Sequence, residues 1–144
     1  MLGALFTLEQ FGIGGNLMGE LTTNVSWLAV FVGAIASFLL GWLWYSERLF
    51  GEKWAAGVGA ELSNVRANSG ALVAQIVGLF LMSWFVGVTA ASNLLLTVIL
   101  ATLAFVVLAQ SGAMFRGQST YARRVDAGHW IASLVIMIVA NAVF

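Results

Sequence analysis

The 144-residue chain is 61% hydrophobic and only 8% charged, with no net charge, no cysteine and no proline. A soluble domain carries roughly 25% charged residues, so this chain cannot cover itself with a solvated surface, and lipid must form part of its solvent. The charge balance points to no nucleic-acid partner, the missing cysteines exclude disulfides and thiolate chemistry, and the length fits one domain.

Residues 1–24 hold Leu2, Leu5, Phe6, Leu8 and Phe11 ahead of Gly12-Ile13-Gly14-Gly15. That pattern predicts either a short interfacial helix with a turn or a flexible lead-in. No Lys or Arg precedes an apolar core there, so the segment does not read as a secretory signal. The first charge-free run lies between Glu20 and Glu47. Its core, about residues 25–45, is long enough at about 1.5 Å per residue to cross a hydrocarbon layer of about 30 Å. Trp27 at one end and Trp42, Trp44 and Tyr45 at the other read as interfacial anchors. The next loop mixes Leu49, Phe50, Trp54 and Val58 with charges, which predicts a short helix in the headgroup layer with Trp54 as a further anchor.

No charge appears between Arg66 and Arg116, a stretch too long for one span. A break at Ala90-Ala91-Ser92-Asn93 divides it into spans of about 70–89 and 94–114. After Asp126 the chain is again uncharged, giving a fourth span over about 128–144, near the lower limit of about 17 residues, with Trp130 as its anchor. The fold class is therefore all-α: four transmembrane helices in a compact up-down bundle, without β-sheet. Arg48, Lys53 and Arg66 follow the first span, and Arg116, Arg123 and Arg124 follow the third. By the positive-inside rule both loops face the cytoplasm and both termini face outward. Arg116, Arg123 and Arg124 also suit anionic lipid headgroups.

Small residues recur at steps of four: Ala29, Gly33, Ser37 and Gly41 in the first span, Gly70, Ala74 and Gly78 in the second, and more weakly Gly128, Ala132 and Ala140 in the fourth. Such stripes let backbones approach closely, within one chain or between copies. They predict tight packing and a homo-oligomer or larger membrane complex.

Few residues could carry chemistry. Asp126 and His129 share a helix face and could form a proton-responsive pair; the plainer reading makes Asp126 a helix cap and His129 an interfacial side chain. A metal or haem would need more ligands than one chain offers. Within the spans, Gln75 and Gln110 could bond to each other across the bundle or line a polar cavity. No carboxylate, Lys or Arg lies in any span, which argues against an ion-coupled pump. No serine motif accompanies the lone His129, and no nucleotide motif occurs, so neither an enzyme nor a cofactor is expected.

The chain reads Gly41-Trp42-Leu43-Trp44-Tyr45-Ser46 and then Leu49-Phe50-Gly51-Glu52-Lys53-Trp54. This Gly-x-x-Trp-Tyr and Phe-Gly-x-x-Trp arrangement resembles a bacterial family of small membrane proteins known as domain of unknown function 1761. The resemblance runs from about Trp27 to the C-terminus and includes Phe115, Asp126 and His129-Trp130. Where Asp126 stands, the family more often carries an amide. The resemblance implies a four-helix bacterial inner-membrane protein and supplies no activity. Three functions follow as expectations. The first is a scaffold or accessory subunit, the second a small oligomeric pore or carrier, and the third a lipid or hydrophobic-ligand binder.

Overall fold

A computed structural model describes residues 1–4 and 17–144. Its helices are α1 (Leu17–Thr22), α2 (Trp27–Trp44), α3 (Gly51–Gly57), α4 (Leu62–Arg66), α5 (Ser69–Ala91), α6 (Leu95–Phe115) and α7 (Thr120–Val143). There is no strand among the described residues. Helices α2, α5, α6 and α7 are each long and apolar enough to cross a membrane, so the chain is a multi-pass, all-α membrane bundle. The predicted N-terminal helix and glycine turn fall mostly outside the described residues.

Three of the four spans start at side-chain caps. Ser26 accepts from the Ala29 amide at 3.3 Å, Asn68 from Ala71 at 3.0 Å and Ser119 from Ala122 at 3.1 Å. Each cap satisfies an amide that the first helical turn leaves unpaired. The hairpin between α5 and α6 turns at Asn93, whose φ of 56° is left-handed, and Leu94 N–H donates back to the Thr89 carbonyl at 2.7 Å. Asparagine tolerates that conformation better than most residues.

Helix α2 is the centre of the bundle and packs most extensively against α7 and α5, whereas α6 is the most peripheral span. The core holds Leu79, Val86, Val98, Leu134 and Met137. The small-residue stripe of α2 faces this interior: Ala29, Gly33 and Ser37 are buried, and a Cβ on Gly33 would lie 2.7 Å from Ser83 Oγ. The Ser83 hydroxyl donates to the Val30 carbonyl at 2.7 Å. In α7, a Cβ on Gly128 would meet the Trp44 ring at 3.0 Å, Ala140 is buried and Ala132 half-buried. The stripe of α5 behaves differently. Gly70 and Ala74 are exposed, and Gly78 is half-buried beside a hollow shared with α6 and α7 where a Cβ would meet nothing, so no helix packs closely on this row. Close approach on α5 is made instead by Ser83 and Gly87, the latter packed against Val30 and Val25.

A clear contrast follows. Gly87→Leu should destabilise the bundle by about 1–3 kcal/mol, as expected of an overpacked contact. Gly78→Leu should leave the melting temperature in detergent unchanged. Equal melting temperatures for the two variants would contradict this packing.

The last helix differs from its predicted extent. It begins at Thr120, so Arg123, Arg124 and Asp126 lie on its opening turns, and Asp126 is no helix cap. Hydropathy marks where a helix enters lipid, and α7 starts outside that layer, where charge is tolerated.

Candidate functional site

At the end bearing the polar loops, the chain folds back on the first span. Phe50 N–H donates to the Trp44 carbonyl at 3.2 Å, and Gly51 N–H to the Ser46 carbonyl at 2.9 Å. The Gly51 α-carbon lies so close to the Tyr45 and Ser46 carbonyls that no Cβ fits there. This tight turn starts α3 and returns Trp54 over Tyr45, with ring centroids 4.7 Å apart in an edge-on pair. The far end of α3 docks on α7, where Ser119 N–H donates to the Gly57 carbonyl at 2.9 Å. Gly57 packs against Ser119 and Ala122, and a side chain there would displace them.

Three aromatic groups donate hydrogen bonds to α7. Tyr45 O–H and Trp54 Nε1–H both donate to Asp126 Oδ1, each at 2.8 Å. Trp44 Nε1–H donates to the Val125 carbonyl at 3.1 Å. Asp126 Oδ2 takes no hydrogen bond from the described residues, yet it is not a sealed atom. His129, one turn on, is buried beside the Tyr45, Trp44 and Trp130 rings. The absence of a side chain on Gly41 admits the imidazole, since a Cβ there would lie 2.9 Å from Nε2. Nε2 is buried with no hydrogen-bond partner among the described residues.

Asp126 and His129 line an open-sided cavity of about 310 Å³ bordered by α2, α3, α4, α5 and α7. Most of its wall is aromatic or aliphatic, including Phe38, Trp42, Trp54, Leu72 and Trp130. Gln75 and Arg66 add polar groups. Arg66 lies 5.8 Å from the centre of the Trp42 ring and 3.9 Å from Glu47, which is the one ion pair among the described residues. An apolar hollow of this size with a few convergent polar groups has the character of a small-molecule site.

The other candidates fall elsewhere. Gln110 donates to the Arg123 carbonyl at 2.8 Å while Gln75 faces the cavity, so the predicted pair across the bundle does not form. Lys53 sits 4.4 Å over the Tyr121 ring, and Arg48, Arg116 and Arg124 are exposed. Trp42 and Trp27 keep exposed faces suited to an interface. Trp44, Tyr45 and Trp54, predicted as anchors, are instead hydrogen-bonded into the bundle. Trp84 has no role in the sequence pattern, yet its ring lies tilted against Trp27 with centroids 5.4 Å apart and its Nε1–H donates to the Leu21 carbonyl at 2.7 Å. Its place in the half of α5 nearer the Asn93 turn is the available signal. Gly51 stood in the aromatic motif with no role assigned. No group of three or more metal-ligating residues occurs among the described residues.

The profile of the family described as protein of unknown function (DUF1761) matches residues 28–141. The chain belongs to that family. No curated protein and no solved structure matches it.

Proposed function

We propose that this family member is a non-enzymatic binding protein whose loop-side cavity takes up a small amphipathic molecule. The observation that carries the reading is the cavity itself: about 310 Å³, mostly apolar, with Asp126, His129, Gln75 and Arg66 in its wall. Applied to the six basic residues, the positive-inside rule sets its mouth on the cytoplasmic side of a bacterial inner membrane. A pore through one chain has less support. Towards the opposite end, Leu79, Leu134 and Met137 pack as core, and the buried hydroxyls of Ser83 and Thr89 are spent on backbone carbonyls. A scaffold role keeps the exposed small residues Gly70 and Ala74, with no identified partner.

Native mass spectrometry of protein extracted gently from its own membranes tests the proposal. A small-molecule adduct on the wild-type chain is expected. Ala71→Trp, which fills the cavity wall, should remove it. A chain that carries no adduct, and whose tryptophan emission does not respond to benzyl alcohol, would refute the reading.

A further inference from the structure

Resting on that reading, we infer that the cavity is a site for an organic ammonium ion, held by the free oxygen of Asp126. The carboxylate is fixed by neutral donors alone. Tyr45 and Trp54 hold Oδ1 and, being neutral, add no charge to offset its own. No cationic side chain among the described residues lies within 4.0 Å of it; Arg66 pairs with Glu47, and His129 and Arg116 act on Asp126 only through space. A partly buried carboxylate without a counter-ion is costly unless a cation completes it. Its unbonded Oδ2 is left for that cation.

The cavity wall says which kind of cation. A hard metal ion requires several oxygen ligands, and no second carboxylate or group of metal-ligating side chains accompanies Asp126. The wall offers aromatic faces, from Phe38, Tyr45, Trp54 and Trp130, of the type that stabilise weakly hydrated organic cations. Arg66 over the Trp42 ring already places one cation against this surface. Two sources share this chemistry: a free amphipathic amine and the headgroup of an aminophospholipid.

The test uses the full chain in nanodiscs of phosphatidylglycerol, titrated with benzylammonium and with its neutral counterpart benzyl alcohol while tryptophan emission is followed. Benzylammonium should bind about tenfold more tightly than the alcohol, a ratio in keeping with one close charge pair at a protein surface. Asp126→Asn, which retains an acceptor for Tyr45 and Trp54, should abolish the preference and leave alcohol binding intact. Arg66→Gln, which removes the competing cation, should strengthen benzylammonium binding several-fold. Equal binding of the two probes, or a cation preference unmoved by both substitutions, overturns the inference. Equal binding leaves the proposed cavity function standing, whereas binding of neither probe sinks both. Repeating the titration in phosphatidylethanolamine discs separates the sources: weaker benzylammonium binding assigns the site to the lipid headgroup, and undiminished binding assigns it to a free amine.

Discussion

Asp126→Ala is expected to destabilise the protein by about 2–4 kcal/mol, because it strands two half-buried donors at a cost of about 1–3 kcal/mol each. Tyr45 O–H and Trp54 Nε1–H share the single oxygen Oδ1, so one truncation leaves both unpaired. It also removes two of the links that tie α2 and α3 to α7, leaving Trp44 on the Val125 carbonyl and Ser119 on the Gly57 carbonyl. Asp126→Asn should cost much less, since its carbonyl oxygen can still accept. Thermal unfolding in a mild detergent, compared across wild type, Asp126→Asn and Asp126→Ala, measures this order. If the alanine variant melts with the wild type, the aromatic donors do not hold the loop region together.

Gly51→Ala is the second large effect. The added methyl group would fall on the Tyr45 and Ser46 carbonyls, both backbone atoms, and the Ser46 carbonyl already accepts from Leu49 and Gly51 N–H groups. Neither can move unless the turn opens. A loss of about 1–3 kcal/mol is expected from the overpacking. Opening the turn also withdraws Trp54 from Tyr45 and Asp126, so tryptophan emission should shift to the red and cavity binding should fall. Unchanged emission together with unchanged stability would show that the turn tolerates a side chain.

These two residues mark how far the sequence could be read. Gly51 and Trp54 belong to the aromatic motif that carries the family resemblance, and from sequence the aromatic members read as interfacial anchors. Tyr45 and Trp54 turn instead towards a carboxylate on α7, 81 and 72 residues away in the chain. Nothing local announces such a partner. The pairing of Asp126 with a helix cap failed for a related reason: the helix starts at Thr120, before the apolar run that hydropathy detects.

The sequence by itself determined the four spans, the all-α class and the family, because span length, charge gaps and motif order are properties of consecutive residues. Only the tertiary structure decided which face of each helix turns inward. In a lipid-facing bundle the outside is as apolar as the core, so hydrophobic periodicity does not report rotation about the helix axis. That rotation buries Gly33 and Gly87, leaves Gly70 and Ala74 outside, and brings Asp126, His129 and three aromatic donors to one end of the bundle.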